Sequence, residues 1–333
     1  MTKTKTTMRA IRYHEHGGED VLTLDDVPRP TAGSDEVTVR VHAASVNPID
    51  TYVREGNVSP NGGLPHIGGS DVAGTVEEIG ERVDRFEPGD RVFATGLGLF
   101  QPGSYAEYVA VPAEKLAPLP DAVSFNEGAA AAMAFATAWR GLITRGDLSV
   151  GDVCLVLGWS GGVGHAGVQI ARHAGATVVA TAREGEPAAM ARELGSDAVV
   201  DYRADDLAAE IREVTGGEPV DVVLEPHAAS NIVADLDVLV RGGRITVIGE
   251  DSEIRIPPGA SMTGKIADAD LRFMSIVAST GDQGPILRSV APLLAAGTFE
   301  VRIAETYPLS EVARAQADVV SGGTLGKVVI EVA

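Results

Sequence analysis

The residues whose chemistry is easiest to read lie between Asp152 and Gly167. The apolar run Val153-Cys154-Leu155-Val156-Leu157 suits a buried strand. It leads into Gly158-Trp159-Ser160-Gly161-Gly162-Val163-Gly164, with glycines spaced G-x-x-G-x-x-G, and then into a helical pattern over 163–173. Glycines let a backbone turn sharply and let a pyrophosphate come close, while the helix start offers unpaired N–H groups and the positive end of its dipole. A glycine-rich turn by itself is usually only a turn. The strand before it, the helix after it and a second strand–helix unit beyond decide for a dinucleotide site. About twenty residues past such a turn, an NAD enzyme places Asp or Glu for the ribose 2'-hydroxyl. Here the next strand ends Thr181-Ala182-Arg183. A guanidinium can bond two oxygens of a 2'-phosphate, so this end predicts NADPH; the alternative is a solvated surface arginine beside Glu184 and Glu186.

Groups that hold metals are scarce. The single cysteine, Cys154, sits inside the apolar run and reads as a buried strand thiol, which excludes disulfides and thiolate zinc clusters. His66 reads as a solvated loop side chain. The balance of 47 acidic and 27 basic side chains gives a formal net charge of −20, and lysine occurs only at Lys3, Lys5, Lys115, Lys265 and Lys327. Such a surface repels nucleic-acid phosphates and anionic membranes, since both are bound through Lys and Arg. The composition fits a salt-rich cytoplasm, where the Debye length shrinks to about 3 Å at 1 M salt. No apolar run approaches the roughly 20 residues of a membrane span. Met1 to Thr7, rich in Thr and Lys, read as a frayed tail rather than a secretory signal, so a cytoplasmic location is expected.

The elements that must position these residues follow from periodicity. With 333 residues, the chain exceeds one hydrophobic core, so two domains are expected. The first 127 or so residues are rich in β-branched and turn residues, with strands predicted over 8–13, 36–41, 72–79, 91–94 and 105–111. Ser124 and Glu127 have capping-box spacing before a helix that opens near Asn126. From Val150 on, strands over 153–157, 177–181, 198–201, 220–224 and 244–249 alternate with helices over 163–173, 187–194, 207–214 and 232–240. That alternation predicts a parallel sheet covered on both faces. Residues 271–278 read as an edge strand.

Several strings together resemble one family: Ala43-Ala44-Ser45-Val46-Asn47-Pro48-Ile49-Asp50-Thr51-Tyr52, Gly68-Gly69-Ser70-Asp71-Val72-Ala73-Gly74, Gly89-Asp90-Arg91-Val92-Phe93, Ser104-Tyr105-Ala106-Glu107-Tyr108, Ser160-Gly161-Gly162-Val163-Gly164, Gly242-Gly243-Arg244 and Gly326-Lys327. The chain resembles the zeta-crystallin-like quinone oxidoreductases, zinc-free members of the medium-chain dehydrogenase/reductase superfamily. The resemblance implies an α/β protein in which a GroES-like, mostly-β catalytic domain from both chain ends (1–127 and 281–333) accompanies a Rossmann doubly wound parallel sheet (128–280), with the coenzyme in the cleft between them. It implies that Asn47 and Tyr52 flank the nicotinamide, that Thr137 lies near it, that Ser160, Gly161, Gly162, Val163 and Gly164 hold the pyrophosphate, and that Arg183 and Tyr202 hold the 2'-phosphate end. Ile248, Gly249, Met274 and Ser275 would close over the nicotinamide side. Trp159 departs from the small residue usual there.

Zinc dehydrogenases of this superfamily take metal ligands from segments that here read Ser45-Val46-Asn47 and Gly69-Ser70-Asp71, which offer neither Cys nor His, so no metal is expected. Without a metal to polarise a carbonyl, an electron-poor conjugated acceptor is the feasible substrate. The expected activity is zinc-independent reduction of a quinone by NADPH. The alternatives are a 2-alkenal or enone reductase, or an NADPH-binding structural or regulatory protein with little turnover. Tyr52 is the candidate hydrogen-bond or proton donor and Asn47 the candidate for orienting the carboxamide or substrate oxygen. A Tyr packing its ring and an Asn capping the turn before Pro48 would explain the same residues. In the family the edge strand pairs with its copy, which implies a homodimer or homotetramer.

Overall fold

The β-branched runs become strands and the long-period runs become helices in a computed structural model, which describes residues 6–250 and 252–332. Residues 1–5 of the Thr- and Lys-rich tail lie outside the described residues. The chain divides into two units, Met1–Ala136 with Ile276–Ala333, and Thr137–Ser275.

The first unit opens with β1 (Thr7–Tyr13), β2 (Leu22–Pro28), β3 (Glu36–Ser45), α1 (Pro48–Glu55), β4 (His66–Ile67), β5 (Asp71–Ile79), β6 (Arg91–Ala94), β7 (Tyr108–Pro112) and β8 (Ala117–Pro118), and α2 (Phe125–Trp139) follows. Val37, Val39 and Val41 alternate into a core with Val72, Val76, Val92, Val109 and Val111. β3 is longer than its alternating core, running on to Ser45 because β5 pairs with it along its whole length. The strand expected over 105–111 begins only at Tyr108. Before that point the backbone serves β1 instead: Ile11 N–H donates to the Tyr105 carbonyl at 2.8 Å and Glu107 N–H to the Arg9 carbonyl at 3.0 Å. The capping box forms as read, with Ser124 N–H donating to the Glu127 carboxylate at 2.7 Å and Glu127 N–H to Ser124 Oγ at 3.2 Å.

The second unit contains β9 (Val153–Val156), α3 (Gly162–His173), β10 (Thr177–Thr181), α4 (Glu186–Glu193), β11 (Ala198–Val200), α5 (Leu207–Val214), β12 (Val220–Glu225), α6 (Ala228–Val238), β13 (Leu239–Val247), α7 (Pro258–Ile266) and β14 (Asp270–Phe273). Its six strands, all parallel, lie in the order β11-β10-β9-β12-β13-β14. The chain therefore builds outward from β9 in one direction and from β12 in the other. This reversal makes the sheet doubly wound and leaves a crevice at the carboxyl ends of β9 and β12. The helix expected over 232–240 starts earlier, at Ala228, and ends at Val238; Leu239 and Val240 join β13, where Leu239 pairs with Val220. The edge strand is shorter than expected, because after Phe273 only Met274 N–H still reaches back, to the Val247 carbonyl at 3.1 Å. Among the described residues no helix is long and apolar enough to cross a membrane.

The chain returns to the first unit with α8 (Thr280–Ala295), β15 (Ile303–Pro308), α9 (Val312–Ser321) and β16 (Lys327–Glu331). β16 pairs antiparallel with β3, Val329 opposite Ser45, so the two ends of the chain share one sheet.

Candidate active site

β9 is buried at every residue, and the chain leaves it through Gly158, whose φ of +61° is left-handed backbone that glycine adopts without strain. Gly158 N–H donates to Thr181 Oγ1 at 3.1 Å, tying the turn to the end of β10. Gly161 N–H returns to the Gly158 carbonyl at 3.1 Å. A Cβ on Gly164 would lie 2.4 Å from both the Gly158 oxygen and the Trp159 Cα, so the first turn of α3 can pack on the glycine turn only without a side chain there. Gly161, the N-cap of α3, is exposed, and among the described residues no side chain caps the N–H groups that follow. Ser160, Gly162 and Val163 are partly exposed beside it. Trp159 turns inward, 1% exposed, and among the described residues no acceptor meets its indole N–H.

Two further strand ends complete the far side. Ala182 is buried and Arg183 exposed, and among the described residues no carboxylate, Glu184 and Glu186 included, lies within ion-pair distance of it. Past β11, Tyr202 is about half exposed, and Arg203 forks onto Asp201 at 2.6 and 3.0 Å. Those hydrogen bonds hold the Asp201 carboxyl down at about 2. A groove of about 560 Å³ runs between these ends, bordered by Ala182, Arg192, Asp201 and Arg203. Ile248 N–H donates to the Glu225 carbonyl at 2.9 Å, and a Cβ on Gly249 would lie 2.7 Å from the Pro226 oxygen. Glycine turn, Thr181, Arg183, Tyr202, Ile248, Gly249, Met274 and Ser275 thus all follow the carboxyl ends of the parallel strands. Thr137 is buried in the last turn of α2.

Under this rim lies a pair of acids. Glu225 and Asp235 are fully buried side by side, and among the described residues no other group donates to Oε2 of Glu225 or to either oxygen of Asp235. Burial, then the neighbouring Glu225, pushes the Asp235 carboxyl well up; burial likewise raises Glu225. Two carboxyls in this position must share a proton. A folded pKa above the unfolded one gives stability that is complete below the unfolded value, about 4, and is lost as pH rises through the folded value. Asp235→Asn keeps a neutral donor at every pH. Relative to the native chain it is therefore expected to gain stability steadily from pH 5 to 8 in urea denaturation, and parallel profiles would refute the shared proton.

In the first unit Asn47 is the N-cap of α1, but it does not cap with its side chain. Its backbone N–H donates to Asp50 Oδ2 at 2.9 Å. Its amide bridges two charges: Lys327 Nζ donates to Oδ1 at 2.5 Å and Nδ2 donates to Asp71 Oδ2 at 2.8 Å. Ser45 Oγ donates to the same Asp71 oxygen at 2.6 Å, and Lys327 also donates to the Val46 carbonyl at 2.7 Å. Burial pushes the Asp71 carboxyl up and the Lys327 ammonium down, each opposed by the other's charge. Asp50, accepting from Ser70 at 2.5 Å and Tyr105 at 2.9 Å, is raised to about 6, chiefly by burial. Tyr52 does not pack its ring away: it stands 45% exposed on α1. His66 corrects the sequence reading, because β4 buries it and its Nε2 bonds the Gly98 carbonyl at 2.9 Å. Cys154 is buried as expected, and burial drives its thiol pKa far up. Among the described residues no three His, Cys, Asp or Glu side chains gather as a metal site.

Residues 33–121 match the alcohol dehydrogenase GroES-like domain, and residues 194–330 match the zinc-binding dehydrogenase family. Quinone oxidoreductase of Lama guanicoe is 36% identical over 336 residues, covering 99% of each chain, and the Homo sapiens enzyme is 34% identical over the same span and coverage. The chain belongs to the quinone oxidoreductase family of medium-chain dehydrogenase/reductases. Among solved structures, Escherichia coli quinone oxidoreductase complexed with NADPH matches with a TM-score of 0.87 and 28% identity, over 97% of this chain and 99% of that one. An NAD-dependent alcohol dehydrogenase matches with a TM-score of 0.90 and 31% identity, over 98% and 100%.

As a quinone oxidoreductase the chain is an enzyme of a pyridine-nucleotide-binding family that acts on small molecules, and its fold is the GroES-like plus doubly wound pair expected from sequence. The parts of the site that sequence reading missed are Lys327, Asp71 and Asp50 around Asn47, and the Asp201–Arg203 fork beside Tyr202. The scarcity of lysine was the available clue to the first group. The polar string Asp201-Tyr202-Arg203 at a strand end was the clue to the second.

Proposed function

We propose that this quinone oxidoreductase is a zinc-independent, cytoplasmic NADPH:quinone reductase. The observation that carries the coenzyme choice is Arg183: an exposed guanidinium with no ion-pair partner among the described residues, at the strand end where an NAD enzyme would place an acid. The glycine turn fits the coenzyme's pyrophosphate, since Gly164 leaves room only for backbone and the start of α3 presents free N–H groups. When bound, NADPH supplies the hydride. Asn47 and Tyr52 are assigned to the acceptor: Asn47 has one amide N–H left after Asp71 takes the other, and Tyr52 keeps an accessible hydroxyl. Zinc independence is supported by what fills the metal-bearing segments of zinc relatives, where Ser45, Asn47 and Asp71 are bonded to one another and a lysine ammonium supplies the positive charge. The exposed edge of β14, with Phe273 uncovered, supports a homodimer or homotetramer.

Steady-state assays of NADPH and NADH against quinones, alkenals and alcohols, with metal analysis, test this reading. Quinone turnover preferring NADPH in metal-poor protein is the expected result; NADH preference, or one tightly held zinc per chain, overturns it. Arg183→Ala is expected to weaken NADPH binding about 10- to 100-fold and leave NADH binding nearly unchanged, since the lost contact is a charge-assisted bond to the 2'-phosphate.

A further inference from the structure

The crevice where the sheet order reverses has two walls. One is the glycine turn after β9. The other is Pro226-His227, the two residues between β12 and α6. A side chain begun at Gly158 would meet Pro226 Cγ at 3.2 Å and His227 Nε2 at 3.6 Å, so the imidazole edge lies against the turn itself. Three observations fix it there. The His227 N–H donates to the buried Glu225 carboxylate, Ala228 N–H donates to the Gly249 carbonyl at 3.3 Å, and the Pro226 oxygen lies 2.7 Å from where a Cβ on Gly249 would be. The ring is exposed, and among the described residues neither of its nitrogens has a hydrogen-bond partner. An imidazole held beside a phosphate cradle, with both nitrogens free, suits an anion.

We infer that His227 is a further coenzyme-binding residue, its imidazolium bonding the pyrophosphate that the glycine turn cradles. This rests on the reading of that turn as the pyrophosphate site. It adds a pH-dependent contact to one otherwise made of backbone N–H groups, whose strength does not titrate. The ionisable groups behind His227 are Glu225, which takes its N–H, and Asp235 beyond it. Of the cations on neighbouring elements, Arg212 of α5 pairs with Asp237, Arg244 of β13 with Asp152, and Lys265 of α7 is solvent-exposed. None of these competes for the crevice.

The test compares the affinity for NADP⁺ of the native chain and of His227→Gln, by calorimetry at pH 5.5 and pH 8, with the melting temperature of each as a fold control. The ratio of the two dissociation constants cancels the titration of the coenzyme's own 2'-phosphate. Expected is a ratio of about ten at pH 5.5, where a charged bond is lost, that falls towards one at pH 8. A ratio near one at both pH values, or one that is large and equal at both, overturns the inference while the coenzyme site stands. Failure of the native chain to bind NADP⁺ at either pH overturns both.

Discussion

Lys327→Met is expected to destabilise the protein by about 3–5 kcal/mol, because it strips a buried carboxylate of the countercharge that the Asn47 amide links to it. Lys327 is 7% exposed and Asp71 wholly buried, so the substitution leaves a carboxylate in the core without its cation and removes two hydrogen bonds, to Val46 and Asn47. One Asp71 oxygen is held by Ser45 and Asn47, and the other is closed off from solvent. Adding Asp71→Asn removes the orphaned charge, so the double variant is expected to recover part of the loss, with a coupling of about 1–3 kcal/mol. Urea denaturation of the four chains measures this cycle. A Lys327→Met chain within 1 kcal/mol of native, or strictly additive effects, contradicts the network.

Substitutions in the glycine turn are expected to separate folding from binding. Gly164→Ala forces a Cβ to within 2.4 Å of two backbone atoms that cannot swing aside, and costs about 1–3 kcal/mol with the turn displaced and NADP⁺ affinity lost by 100-fold or more. Gly161→Val places its Cβ 3.5 Å from the nearest atom, the Gly158 oxygen, and is expected to cost no more than about 1 kcal/mol, the loss of a favourable N-cap residue. It still crowds the face on which the phosphate rests and so weakens binding. Trp159, buried within the turn, provides the fluorescence readout for both. Equal affinity of Gly164→Ala and native chains for NADP⁺ would remove the glycine turn from the coenzyme site.

What was legible in the sequence was local. The strand, glycine turn and helix from Val153 to His173 are specified by neighbours a few residues apart, and they stand where periodicity puts them. Boundaries failed where one apolar run suits two elements: Leu239 and Val240 would close a helix as well as they open β13, and only pairing with Val220 decides. The network around Asn47 was illegible for a different reason, since Lys327 reaches Asn47 across 280 positions and no window of sequence contains both. Glu225 and Asp235 look like surface acids in an acidic chain; that they are buried depends on how α6 packs over β12, which their types do not record. His66 was misread because burial in β4 depends on pairing with Tyr13 of β1, far upstream.

The sheet that joins β16 to β3 also constrains how the molecule can be made. Asp71 emerges from the ribosome well before β16, which carries the Lys327 ammonium that neutralises it. Until Lys327 has been synthesised, the portion carrying Asp71 would have to bury an uncompensated anion in order to close. Thr137–Ser275, by contrast, is one continuous stretch carrying all six parallel strands. Vectorial synthesis therefore favours an order in which Thr137–Ser275 matures first and β3 and β5 wait for β16.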